Sequence, residues 1–207
     1  MSKNGPKNLM SDIRKKLKLA ILISGRGSNM MTIHKSCQDP DFPAEIALVL
    51  SNRPDAGGLA YAKDHNIPTE VVDHKEFSSR DEFEAEMHNR IEPYKPDLII
   101  LAGFLRILNA PFVKKWPNRI LNIHPSLLPE YKGLNTHARA INDGKTESGC
   151  TVHYVVPELD SGQTIIQKRV PIFNDDTPET LEKRVLEQEH IAYPEAIKLV
   201  ANNILSE

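Results

Sequence analysis

Cysteine is nearly missing from this chain: Cys37 and Cys150 are the only two in 207 residues, and no CxxC or metal-ligand spacing contains them. A disulfide framework is excluded, and a reducing compartment, the cytoplasm, is expected. Long apolar runs are missing too. None approaches the roughly 18 residues of a membrane span, so no membrane partner is expected. Nor is there an excess of one charge, since 26 Lys and Arg face 28 Asp and Glu for a net −2. Nucleic-acid binding, which leaves a strongly basic face, is therefore not expected. The HExxH pattern is absent and the eight histidines form no ligand-spaced pair with cysteine, so no metal is expected.

What remains is ordinary globular composition, 40% hydrophobic and 26% charged, sufficient for one sizeable core. Charge is uneven only at the start, where the first eighteen residues hold six Lys or Arg against Asp12 alone. Residues 1–17 read as a flexible basic tail and 18–207 as a single domain. There is no internal repeat, low-complexity tract or clear linker.

Nearly continuous apolar segments occur at "KLAILIS" (18–24), "EIALVLSN" (45–52), "PDLIILAG" (96–103) and "RILNIH" (119–124). Such segments suit strands buried on both faces of a parallel sheet. Helical patterns lie between them. "SSRDEFEAEMHNRIEPY" opens with Ser79 and Glu82 in capping-box spacing and aligns Phe83, Met87 and Ile91; "DAGGLAYAKDHN" and "APFVKKW" are shorter. Later, "GCTVHYVV" (149–156) and "TIIQKRVPI" (164–172) flank a turn-like "PELDSGQ", as in an antiparallel pair. A long helix is expected from Thr177, with Pro178 in its first turn, to about Leu205 through Pro194. The fold class is α/β: a mostly parallel twisted sheet flanked by helices, with an antiparallel C-terminal part.

"ISGRGSNM" (23–30) joins the first strand to a helix. Gly25 and Gly27 permit a tight turn, and the N–H groups of Gly27, Ser28 and Asn29 can converge on one phosphate at a helix N-terminus. Neither the dinucleotide nor the triphosphate fingerprint is met. A plain Gly-rich turn with Ser28 or Asn29 as helix cap accounts for the same residues.

"ILNIHPSLLP" (120–129) places Asn122 and His124 on one side of a strand and Leu121 and Ile123 on the other. Ligands of open α/β sheets bind at the carboxyl ends of such strands. An amide donor beside an imidazole can stabilise oxygen that becomes negative during acyl transfer. A structural histidine is the alternative. Asp160, in the Gly-flanked "PELDSG" turn, can support a charged His124 if the two meet, since a carboxylate favours the charged imidazole; alternatively it is a turn residue.

"SGRGSN", "LAGFLRIL", "LNIHPSLLP", "VHYVVPELDSG" and "EQEHIAYP" occur in order over about residues 18–200. With these five motifs the chain resembles the phosphoribosylglycinamide formyltransferases, folate-dependent enzymes of purine synthesis with a Rossmann-like fold. The resemblance implies a catalytic trio of Asn122, His124 and Asp160. It implies a ribonucleotide site at Gly27, Ser28, Asn29 and Glu189. It also implies folate binding by Arg80, Leu105, Arg106, Ile107, Leu108, Asn122 and Val156, on the "LRIL" and Val156–Asp160 stretches. Without the resemblance "LRIL" reads as ordinary core, Arg80 as a solvated helix-start charge and Glu189 as a surface helix residue. Departures from the pattern are Arg26 where Asn is frequent, Leu105 where Met is, Asn135 where His is, and Cys150 in place of a small hydroxyl residue. His137 and His153 match the pattern but are kept out of the catalytic set.

The implied reaction is direct acyl transfer from 10-formyltetrahydrofolate, as co-substrate, to the amine of glycinamide ribonucleotide through a tetrahedral intermediate. No G-x-S-x-G elbow suggests a covalent acyl-enzyme. The expected partners are small molecules, and the expected state is monomer or homodimer. A formyltetrahydrofolate deformylase or a methionyl-tRNA formyltransferase would call for a further domain, and a phosphate-sensing binding module would show no turnover.

Overall fold

The structure, a computed structural model, describes residues 15–206; most of the expected basic tail lies outside the described residues. The elements run β1 (Leu17–Ile23), α1 (Ser28–Cys37), β2 (Ala44–Ser51), α2 (Gly57–Asp64), β3 (Thr69–Val71), α3 (Arg80–Ile91), β4 (Leu98–Leu101), α4 (Ala110–Lys115), β5 (Ile120–His124), α5 (Thr136–Asn142), β6 (Glu147–Tyr154), β7 (Thr164–Pro171) and α6 (Pro178–Ser206). One seven-stranded sheet has the order β3-β2-β1-β4-β5-β6-β7. The first five strands pair in parallel, and β6 runs antiparallel to both β5 and β7. The expected mixed sheet is therefore present, with the C-terminal hairpin at its edge.

Side-chain alternation divides the apolar residues between two layers. Leu19, Ile21, Ile23, Leu121 and Ile123 pack with α1, α2 and α6, whereas Ala20, Leu22, Ile99, Leu101 and Ile120 pack with α3 and α4. Phe83, Met87 and Ile91 are all buried, as their spacing on α3 requires. Ser79 Oγ caps that helix by accepting from Glu82 N at 3.2 Å, while the Glu82 carboxylate turns back to accept from Ser78 Oγ at 2.7 Å. The final helix runs without a break through Pro194. Two elements have no counterpart in the sequence reading. Strand β3 is three residues long, and α5 follows Asn135, which caps it in the left-handed region at φ 56°.

The sheet order reverses between β1 and β4. The chain winds from β1 through β2 to β3 in one direction and from β4 to β5 in the other. That places the loops after β1 and β4 on either side of the switch point, with β5 next along. Strands in a sheet are spaced by about 4.8 Å, so the carboxyl ends of β1 and β5 lie roughly 10 Å apart. Open α/β sheets take ligands at such a crevice.

Candidate active site

Residues 24–27 turn the chain from β1 into α1. Gly27 occupies the N-cap at φ 72°, a left-handed conformation that favours glycine, and no side chain caps the helix. The simpler reading, in which Ser28 or Asn29 is the cap, is thereby set aside. Asn29 points elsewhere: buried, it donates from Nδ2 to Glu189 Oε2 at 2.8 Å, and its Oδ1 has no hydrogen-bond partner. This contact ties the glycine turn to α6 across 160 residues of sequence. Glu189 is not the surface helix residue that its sequence context suggests. It is 8% exposed, and burial pushes its carboxyl up to about 7, with Glu182 adding to the rise and the Asn29 bond opposing it. One turn on, Tyr193 is fully buried and donates to the carbonyls of Leu101 and Leu121 at 2.9 and 3.0 Å. The same helix therefore braces β4 and β5.

The raised Glu189 pKa has a definite sign. A carboxyl whose folded-state value exceeds its unfolded value contributes stability that is fully present below the ordinary carboxylate range and lost as pH climbs through about 7. Glu189→Gln removes that loss. Urea unfolding should show the variant gaining on the parent chain across this window, by about 3 kcal/mol at its upper end. A constant difference between the two chains over that range would disprove the linkage.

On the other side of the switch point, a cavity of about 340 Å³ is lined by the loop after β4, the end of β5 and the loop between β6 and β7. It includes Leu105, Arg106, Ile107, Leu108, Asn122, His124, Val156 and Asp160. The core reading of "LRIL" fails for two of its members, since Leu105 is 77% and Ile107 57% exposed; Leu108 is buried. The loop is held at its root, because Leu105 N donates to Ser24 Oγ at 2.8 Å, and at its end, because Asn109 N donates to the buried Glu84 carboxylate at 3.0 and 3.1 Å. Burial raises the Glu84 pKa. Of the sequence-derived folate set, Arg80 alone stays outside the cavity lining. It begins α3, exposed to solvent.

Asn122 and His124 project from one face of β5, and the 155–163 loop brings Asp160 to them. His124 Nε2 lies 2.9 Å from the Tyr131 carbonyl. A carbonyl only accepts, so Nε2 carries hydrogen. Nδ1 faces Asp160 Oδ2 at 3.5 Å, with both side chains under 10% exposed. The same carboxylate oxygen accepts from Gly133 N at 2.9 Å, which joins the two loops around the imidazole. Tyr131 and Asp160 hold positive φ angles of 55° and 47°. Such backbone strain in non-glycine residues concentrates at functional sites. A second imidazole, His153, completes the group. It is 2% exposed, lies opposite Asn122 on β6, and has Nε2 at 3.3 Å from Asn122 Nδ2 and 3.8 Å from Asp160 Oδ1. Its alternation in "TVHYV" aims it at one face, but only the β5–β6 register says which residue it meets.

His137, on α5, is also drawn toward this region. Burial lowers its pKa, Glu182 raises it and His124 lowers it, and its Nδ1 has no hydrogen-bond partner. Cys37 and Cys150 are both free, and burial pushes each thiol up to about 12, which makes neither a nucleophile at neutral pH. Among the described residues no group of three or more His, Cys, Asp or Glu is arranged to hold a metal. No helix among them is long and apolar enough to cross a membrane.

The sequence pattern of the formyl transferase family matches residues 17–197. A phosphoribosylglycinamide formyltransferase from Haemophilus influenzae is 47% identical over 181 residues, covering 87% of this chain and 85% of that protein. The trifunctional purine biosynthetic protein adenosine-3 of Gallus gallus is 49% identical over 187 residues. There the chain spans 19% of the relative's length. The crystal structure of phosphoribosylglycinamide formyltransferase from Brucella melitensis superposes with a TM-score of 0.87 at 45% identity, covering 90% of this chain and 96% of that one. The chain belongs to the formyl transferase family, in the company of the phosphoribosylglycinamide formyltransferases.

Proposed function

We propose that this chain transfers the formyl group of 10-formyltetrahydrofolate to the amine of glycinamide ribonucleotide, a step of purine synthesis in the cytoplasm. One observation carries the reading: Asn122, His124 and Asp160, distant in sequence, converge at the floor of an apolar cleft beside the glycine turn. The cleft fits a flat heteroaromatic ring. Leu105, Ile107, Leu108 and Val156 supply apolar wall, and backbone groups along 105–108 can bond the ring's edge. At the glycine turn, free N–H groups at the start of α1 suit a phosphate, and the buried Asn29–Glu189 pair suits the ribonucleotide's hydroxyls and amide.

In the reaction the amine nitrogen forms a bond to the formyl carbon, the bond from that carbon to N10 of the folate breaks, the amine loses one proton and N10 gains one. The formyl oxygen becomes negative on the way. Asn122 donates an N–H to it, and the positive charge of protonated His124 stabilises it. Asp160, 3.5 Å from Nδ1, keeps that imidazole oriented. Glu189 and the Gly27–Asn29 turn hold the acceptor in place.

The test is folate-product absorbance with purified protein and 10-formyltetrahydrofolate, with and without glycinamide ribonucleotide. Deformylation that requires the ribonucleotide, with formyl recovered on it, is expected. Equal deformylation in its absence would instead make the protein a hydrolase, and ligand binding without turnover would make it a binding module. Asp160→Asn should reduce turnover about 10-fold or more while KM for both substrates stays close to the parent value. Unchanged turnover would remove Asp160 from the trio.

A further inference from the structure

We infer that His153 is a positioning residue that fixes the orientation of the Asn122 amide, so that its NH₂ group, rather than its oxygen, serves the formyl oxygen. The inference rests on the transferase reading of the site. Its geometry comes from sheet register, which sets Asn122 of β5 directly opposite His153 of β6. His153 Nδ1 lies 2.9 Å from the Tyr154 carbonyl. Because a carbonyl only accepts, Nδ1 must carry the hydrogen. In a neutral ring Nε2 is then an acceptor, and it faces Asn122 Nδ2 at 3.3 Å. The two contacts are mutually consistent only for an uncharged ring, protonated on Nδ1, and an amide with NH₂ toward the histidine. One N–H of Asn122 is used in this way and the second is directed away from His153.

The surroundings keep the ring in that state. Burial lowers its pKa most, the Tyr154 carbonyl and Asp160 raise it, and His124 lowers it, for a net fall. A ring carrying hydrogen on Nε2 would present a donor to the amide. Asn122 would then turn its oxygen toward His153 and place acceptor lone pairs where a donor is needed. Repulsion would replace stabilisation of the developing negative charge. The two histidines of the site thus divide the work, with His124 facing Asp160 through Nδ1 and His153 kept uncharged beside the amide.

Two measurements on the whole chain decide this. Nitrogen-15 NMR, with no substrate present, should show His153 Nδ1 protonated and Nε2 bare around neutral pH; the opposite tautomer or a charged ring overturns the inference. In steady-state kinetics, His153→Leu should lower kcat on the order of 10–10²-fold with both KM values little changed. His153→Gln, whose side-chain oxygen can accept the Asn122 N–H, should restore part of the loss. In an Asn122→Ala background His153→Leu should cost little more. Equal losses in the Leu and Gln variants, full additivity with Asn122→Ala, or a change confined to KM would mark a packing role instead. A parent chain that transfers no formyl group defeats the functional reading and the catalytic consequence with it, while the NMR result still decides the tautomer.

Discussion

A His124→Gln chain turns over about 10²–10⁴-fold more slowly than the parent, with KM for both substrates nearly unchanged. Glutamine is the informative replacement because its amide can still donate to the Tyr131 carbonyl, the partner of His124 Nε2 at 2.9 Å. The strained backbone at Tyr131 and the loop it anchors therefore keep their contact. What glutamine lacks is the second ring nitrogen, Nδ1, which in His124 faces the Asp160 carboxylate at 3.5 Å and gives the imidazole its capacity for acid–base work. Steady-state kinetics with both substrates varied provides the check. Turnover within about tenfold of the parent would remove His124 from the path of the charge and the proton.

The second large effect is on stability. A Cβ added at Gly162 would sit 1.8 Å from the Tyr154 carbonyl oxygen and 2.7 Å from its carbon. Both atoms are backbone, so no flexible side chain can move aside. Gly162→Ala must push β6 and the 155–163 loop apart at the point where Tyr154 N bonds the Gln163 carbonyl. Overpacking of this kind costs about 1–3 kcal/mol or more. For a domain of this size the upper end of that range corresponds to a fall in Tm of roughly 6–12 °C. The displaced carbonyl is also the one that receives the His153 Nδ1 hydrogen, and the displaced loop carries Asp160. Activity should therefore fall even well below the melting temperature. Calorimetry and an assay at low temperature give the two readouts. A variant with parental Tm and parental turnover would mean that the β6–β7 connection yields far more readily than its packing indicates.

The Gly149 position in β6 tells the same story from the opposite side of the hairpin, where a Cβ would meet the Lys168 carbonyl oxygen at 2.0 Å. These glycines are required by close approach of neighbouring backbone. Gly27, by contrast, is required by its left-handed backbone at the start of α1, and there a neighbouring Met30 side chain is the nearest atom. Sequence shows all three as glycine and distinguishes none of these reasons.

Several features follow from local pattern alone. The four long apolar segments are β1, β2, β4 and β5 within two residues of their expected ends, because strands buried on both faces need uninterrupted apolar side chains. Alternation placed Asn122 and His124 on one face of β5 and Leu121 and Ile123 on the other; Leu121 and Ile123 join one core, and Ile120, which shares the face of Asn122 and His124, joins the second. The Gly-rich turn and the Thr177 start of α6 were likewise local matters of backbone freedom and capping. Short β3 and α5 were not legible, since three residues or a left-handed Asn cap leave too little periodicity to detect.

The site is different, because its decisive contacts join residues that sequence cannot pair. Ordered motifs resembling a known family pointed to Asp160 and Glu189, but residue chemistry alone read one as a turn residue and the other as a surface charge. Tertiary structure brought Asp160 to His124 by folding a loop over the end of β5, and buried Glu189 against Asn29 by laying α6 along α1. It also set the register that pairs Asn122 with His153. A one-residue slip in that register would turn His153 to the opposite face. Sequence by itself therefore determined where the long strands run and which of their side chains share a face, because both depend on neighbours along the chain. Only the packed sheet decided which carboxylate meets which imidazole and which amide is held in which orientation. Those depend on distances across strands and helices, and on the exclusion of water that gives each such contact its strength.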